Sequence, residues 1–325
     1  MRHTLPTRAP FSFAQSLTFI RRFPPNHGEY VIGPDSITAA IALGDRAVAV
    51  TVRRHVSRSN AQNTRSRPAL RAGFETNTSS CALGVGGSDS LEIEAPDDVP
   101  ASEIVPRVSA WLGADHDLSA FYDAANSDPC FSPFVRELYG LHHVAFMSLA
   151  EIAVYCVMMQ RAPIAMAARM KARFLDRFGL RVLMPGQRAD DQGRRELRAM
   201  PELAALASLD GDEIADAIRH RVKGPAIATV VRGVAKLGEQ FLRTAPYPEA
   251  KQALLDIPGV GPFSAGAILL RGLGRMEEVP IGVAEREARA IYGRAFDPSA
   301  IAKRYGAHIG YWSFYVKTGV ARASQ

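Results

Sequence analysis

Leu254-Leu255-Asp256-Ile257-Pro258-Gly259-Val260-Gly261-Pro262-Phe263-Ser264-Ala265 is the stretch on which the reading of this chain turns. Two helix-forming runs meet there at Pro-Gly-Val-Gly, a link too tight for side chains at its crossing points. Gly259 and Gly261 let the backbone turn sharply and expose the amides that open the second helix. Those N–H groups, with the positive end of the helix dipole, suit a phosphate oxygen. An ordinary helix–helix turn uses the same residues, so the motif supports nucleic-acid contact without specifying chemistry.

Outward from the hairpin, placed at 249–273, the chain reads as helix in both directions. Ile104, Val105, Val108 and Trp111 recur at helical spacing, as do Met147, Leu149, Ile152, Ala153 and Cys156. Further helices are expected over 164–178, 212–220, 226–243, 249–255, 263–273, 285–292 and around 311–316. No β pattern interrupts them, so residues 101–325 are expected to form an all-α domain. The first 100 residues follow another grammar. Ala-Val-Ala-Val-Thr-Val-Arg, after a turn at Gly44-Asp45, reads as a strand, and Tyr30–Ile32 and Leu91–Ile93 are shorter ones. Residues 56–90, rich in Ser, Asn, Arg and Gly, read as a long flexible loop interrupting a small sheet. The expected class is α+β, in two domains, as a length of 325 residues suggests.

Composition excludes several classes. Hydrophobic residues are 47% and charged residues 22%, so the chain is neither disordered nor built around a membrane span. Cys81, Cys130 and Cys156 are odd in number and far apart, which argues against a disulfide scaffold, a zinc finger or an iron–sulfur cluster. A reduced cytoplasmic setting is expected. The first 25 residues hold four arginines and no acid, but Phe11, Phe13, Leu17, Phe19 and Ile20 read as folded structure rather than a transit peptide. The net charge is +6, and 33 of the 39 basic residues are arginine, whose planar fork matches phosphate oxygens. Charge also comes in blocks: ten acids against Arg107 alone over 88–128, then ten bases against four acids over 161–199.

Beyond the hairpin come Val279-Pro280-Ile281-Gly282, Arg286, Arg289 and Tyr292-Gly293. With these, the chain resembles the helix-hairpin-helix DNA glycosylase superfamily, in its bacterial 3-methyladenine DNA glycosylase II form. The likeness extends to Leu138-Tyr139-Gly140-Leu141, to Ser148–Ala168 with Gln160, to Arg173–Gly179, and to an N-terminal sheet over 11–54. It implies a small antiparallel sheet domain followed by a two-lobed all-α core. It also implies a nucleoid-associated monomer that flips alkylated purines out of damaged double-stranded DNA and excises them.

Carried over residue by residue, the amides of Gly259, Val260 and Gly261 would hold a DNA phosphate. The carbonyls of Leu255, Ile257 and Val260 would hold a monovalent cation, sodium or potassium, and no other cofactor is implied. Arg161 falls where the superfamily places the wedge that fills the gap left by a flipped base, a site usually apolar or an amide. Phe19, Phe263 and His308 would line the base pocket. Phe263 also stands where strand-nicking relatives carry a lysine, so Schiff-base chemistry is not expected. The superfamily's catalytic aspartate matches Val283, which can neither stabilise charge on the sugar nor accept a proton. Glu285 is the nearest following carboxylate and could take that role only in a shifted register. Two functions follow from the resemblance: a glycosylase whose cationic alkylated substrates are good leaving groups, or a protein that binds lesions without cutting.

Overall fold

Residues 1–23, 29–55, 89–184, 196–279 and 284–323 are described by a computed structural model. Most of the expected loop at 56–90 lies outside them, as do the expectations attached to Pro280–Val283.

The first element is a strand, β1 (Arg2–Leu5), followed by helix α1 (Phe13–Arg22), which Ser12 caps by accepting from the Gln15 amide. Then come β2 (Val31–Ile32), β3 (Ser36–Leu43), β4 (Arg46–Arg54) and β5 (Leu91–Glu94). The sheet is antiparallel throughout, in the order β1-β5-β4-β3-β2. Gly44-Asp45 closes the two-residue turn that sets Leu43 opposite Arg46. Strand alternation puts Ile37, Ile41, Val48, Val50, Val52, Leu91 and Ile93 on one face. There they bury against α1 and the apolar stripe of α2 (Ala101–Leu112), with Ile104, Val108 and Trp111 at the centre.

The remaining helices are α3 (Ser119–Asn126), α4 (Ser132–Glu137), α5 (Leu149–Met159) and α6 (Ile164–Phe178). After the strand pair β6 (Leu180–Leu183) and β7 (Glu196–Ala199) follow α7 (Leu203–Ala207), α8 (Gly211–Ile218), α9 (Lys223–Leu237), α10 (Glu239–Thr244) and α11 (Tyr247–Leu255). The last are α12 (Pro262–Ala267), α13 (Glu285–Tyr292), α14 (Pro298–Tyr305) and α15 (Ile309–Ala323). They build two cores. One gathers α5, α6, α8, α9, α11 and the hairpin, and the other is an aromatic cluster around Phe121, Tyr305, Trp312 and Tyr315. The fold is the expected α+β class.

Three local expectations are corrected. The strand pair β6–β7 interrupts the helices, although residues 101–325 read as all-α. It lies over the outer face of the sheet, where Ala40 and Ala42 meet Leu197 and Ala199. That second cover explains why β3 is buried on both faces from Ile37 to Leu43. The helix expected over 226–243 is two helices, broken at Gly238. The helix expected over 263–273 changes after Ala267 into a π turn, Ile268–Gly272.

α5 is the central rod, with every residue from Leu149 to Met158 buried. Its start is a capping box: Glu151 N–H donates to Ser148 Oγ (3.2 Å), and Glu151 accepts from the Met147 amide (3.0 Å). Glu151 also joins an ion network. Lys171 Nζ, 1% exposed, lies 2.5 Å from Glu151 Oε1 and 2.7 Å from Glu29 Oε2, with the rings of Phe146 and Tyr155 within 6 Å. The network borders a cavity of about 580 Å³ between the sheet and the helices.

Candidate nucleic-acid interface

The hairpin forms as its sequence implies. α11 ends at Leu255, Ile257 N–H donates to Leu254 (3.1 Å) and Val260 N–H to Ile257 (3.0 Å). The Ile257 and Val260 side chains bury in the first helical core, which anchors the link to α9. Its two glycines are there for different reasons. Gly259 has φ +89°, a region that L side chains rarely adopt, whereas Gly261 is extended at φ −95°. Nothing lies within 4 Å of a side chain built at Gly261, so that position is open to close approach from outside.

These geometries separate two substitutions. Gly259→Ala is expected to lower stability by about 1–2 kcal/mol through backbone strain. Gly261→Val should leave stability within about 0.5 kcal/mol and weaken duplex DNA binding by covering the amides. Denaturant unfolding beside a binding titration checks both. A Gly261→Val protein that bound DNA as the wild type does would remove the hairpin amides from the interface.

Gln160 joins the hairpin to the far end of α5. Its Nε2 donates to Gly259 O (2.8 Å) and Ser264 Oγ (3.2 Å). Arg161 follows directly, exposed and held at φ +50°. The structure thus sets Arg161 beside the hairpin, although 98 residues separate it from Gly259 in sequence. Among the described residues, no hydrogen bond ends on the Leu255 or Val260 carbonyl, and Ile257 O accepts only the Val260 amide. Carbonyl oxygens with free lone pairs are the donors that a hard cation takes, so these residues fit the implied ion.

The three expected pocket residues sit differently. Phe19, half-buried in α1, stacks on Phe23 (5.3 Å) and meets Phe314 of α15 edge-on (4.9 Å). Phe263 opens α12 and is 44% exposed, and His308 is half-buried just before α15. Among the described residues, neither makes a ring contact with Phe19. What surrounds Phe19 was not read from the sequence. Arg271, on the π turn, places its guanidinium over Phe19, Phe23, Phe146 and Phe314 at 4.9–5.9 Å. Its Nη1 donates to His143 Nε2 (2.7 Å). Burial pulls the Arg271 pKa down to about 10, which still leaves a cation at neutral pH, and holds His143 well below its usual value. An arginine inside the apolar run Ile268–Leu273 was the available signal.

Val283 lies outside the described residues. Glu285, the first residue of α13, is exposed and pairs with Arg289 one turn on (2.8 Å). An i, i+4 pair of this kind is a common solvated arrangement on a helix.

No family model matches the chain. It is 28% identical over 181 residues to a protein of Bacillus subtilis (strain 168) named DNA-3-methyladenine glycosylase. That match takes in 55% of this chain and 57% of the relative, so the chain spans little more than half the length of that curated relative. In structure it is similar to the 3-methyladenine DNA glycosylase of Archaeoglobus fulgidus, with a TM-score of 0.71 at 17% identity over 97% of this chain and 96% of that one. It is also similar to MBOgg1, solved in complex with a low affinity DNA ligand, with a TM-score of 0.67 at 16% identity over 100% and 96% of the two chains. At these scores the overall fold is shared over nearly the whole of each chain. The chain has the fold of the helix-hairpin-helix DNA glycosylases.

Proposed function

We propose that the protein is a monofunctional DNA glycosylase that extrudes alkylated purines from duplex DNA and releases them. The observation that carries this reading is the joining of the glycine hairpin to Arg161 through Gln160, which puts a phosphate-binding turn and an exposed planar cation on one edge. The hairpin amides would grip the backbone, with a sodium or potassium ion on the carbonyls of Leu255, Ile257 and Val260. Arg161 would fill the space left by the base, its planar head stacking there. Phe19, Phe263 and His308 would receive the base. A purine alkylated at N3 or N7 carries positive charge and leaves readily, so less help is needed at the sugar. Phe263, in place of an amine, limits the protein to base removal. The names of two of the similar proteins, both 3-methyladenine DNA glycosylases, support the same reading.

A second reading is favoured by Val283, which replaces the superfamily's carboxylate: the protein binds lesions without cutting. Duplexes with methylated, deaminated or oxidised purines separate the two, because only the first releases free base.

DNA contact has its own expected signature. The logarithm of affinity should fall with the logarithm of salt by about 0.9 for each phosphate engaged. Arg161→Ala should weaken binding to an abasic duplex more than to an intact one. A loss equal on both, with the salt slope reduced by about one, would make Arg161 a phosphate contact only.

A further inference from the structure

The cavity between the sheet and the helices takes its walls from both. Tyr30 and residues 40–42 of β3 stand on one side, and Phe146, Glu151 of α5 and Lys171 of α6 on another. At about 580 Å³ it has the size of sites that enclose small organic molecules. It lies at the Ser148 end of α5. The 11 residues of that helix, about 16 Å at 1.5 Å each, separate it from Gln160 and the hairpin. Its lining shares no residue with the proposed DNA site.

Among the described residues, charge in this lining is matched in pairs except at one place. Arg107 pairs with Glu202 (2.9 Å), Arg243 with Glu239 (2.7 Å) and Arg198 with Glu196 (3.1 Å). What remains is Glu29, Glu151 and Lys171, two carboxyls to one ammonium. Lys171 and Glu151 are enclosed, whereas the Glu29 side chain is 20% exposed. Glu29 gives Oε2 to Lys171, and its Oε1 takes no hydrogen bond among the described residues. Burial, against the pull of Lys171, raises the Glu29 pKa to about 7. Near neutral pH a proton therefore stands in for the second cation that the network lacks.

The rest of the wall is aromatic. Tyr30 stacks on Trp111 (5.4 Å), and the Phe146 ring lies 5.6 Å from Lys171 Nζ. Trp111 also lines the cavity and is 1% exposed, yet its indole N–H has no hydrogen-bond partner among the described residues. A buried donor left without an acceptor is unfavourable, and an oxygen brought in by a ligand would satisfy it. Charge, aromatic wall and free donor all describe the same missing occupant.

We propose that the cavity is a binding site for a small organic cation. Its ammonium group pairs with Glu29 Oε1, its apolar body lies against the Tyr30 and Phe146 rings, and an oxygen accepts from Trp111. Lys171 and Glu151 are positioning residues that hold Glu29 at the wall. Because sheet and helices both contribute, an occupant ties them together, and binding adds to stability. This site goes beyond the proposed function and does not depend on DNA contact.

The test uses the full chain and two probes of one shape: tyramine, which carries an ammonium group, and tyrosol, its neutral alcohol. At about ten times its Kd, tyramine is expected to raise the melting midpoint by about 3–5 °C. Tyrosol at the same concentration should leave the midpoint where it was. The proton on Glu29 must leave as the ammonium arrives. Tyramine affinity should therefore rise about tenfold from pH 6 to pH 8. Calorimetry at pH 6, in buffers of different ionisation enthalpy, should show about one proton released. Glu29→Gln keeps the shape of the wall without the charge. It should weaken tyramine about tenfold or more and abolish the pH dependence. Phenethylamine, which lacks the oxygen, should bind about fivefold more weakly than tyramine. Absence of tyramine binding at millimolar concentration would overturn the site. Equal affinity for tyramine and tyrosol, or full affinity in Glu29→Gln, would overturn it as well.

Discussion

Val283→Asp is expected to speed base release on the order of a hundredfold, because under the proposed function it puts a carboxylate where the resemblance places the charge-stabilising residue. A correctly placed charged group in a dry site typically contributes a few kcal/mol to the transition state, and each 1.36 kcal/mol is about tenfold in rate. The gain should depend on the leaving group. A cationic base such as 3-methyladenine departs with its electron pair already drawn away from the sugar, so the added carboxylate has little left to do. Neutral hypoxanthine should show most of the gain. Single-turnover release from the two duplexes measures the contrast. Glu285→Gln is the companion experiment. Glu285 is exposed and paired with Arg289, so this variant should cleave as the wild type does. Excision that collapses with Glu285→Gln and does not rise with Val283→Asp would shift the register of the loop by two residues and give the role to Glu285.

The second large effect concerns stability. Lys171→Met should destabilise the protein by about 3–5 kcal/mol, since Glu151 and Glu29 would keep their buried places without the cation between them. At about 2–4 °C per kcal/mol for a large domain, the midpoint should fall by roughly 10 °C. The network also predicts a pH dependence. Burial, opposed by Lys171 and reinforced by Glu151, raises the Glu29 pKa from 4.5 to about 7. The folded chain therefore holds this proton more tightly than the unfolded one. The stability that Glu29 contributes is present below about pH 4.5 and is lost as pH rises towards 7. Glu29→Gln cannot titrate, so it should gain stability relative to the wild type between pH 5 and 8. Parallel stability curves for the two proteins across that range would contradict the assignment.

Much of this architecture was legible in the chain because it depends on neighbours in sequence. The hairpin needs two helix-forming runs and a left-handed residue between them, and Leu254–Ala265 contains both. Strands β3 and β4 show through their alternation and the Gly-Asp turn. For the second glycine of the hairpin, the expected sharp turn is absent, since Gly261 is extended, while the open space beside it agrees with the expected exposure of the amides. The pair β6–β7 escaped because its strands are four residues long and lack a pattern stronger than that of the helices around them. Its cause lies elsewhere, in the small residues Ala40 and Ala42, which leave the outer face of a distant sheet needing cover.

The candidate site divides along the same line. The family resemblance named Arg161 and Phe19, and turn chemistry named the hairpin, but neither carried information on Gln160 Nε2 reaching Gly259, or on Lys223 reaching the end of α5. Nor could they show Arg271 enclosed by rings from α1, α15 and the segment before α5. The sequence alone determined the fold class and the hairpin, because turn chemistry and hydrophobic period are local properties. Only the tertiary structure decided which turns share an edge, which cations are buried and which glycine faces open space. Those depend on where side chains far apart in the chain end when their helices pack, and packing is a property of the whole chain.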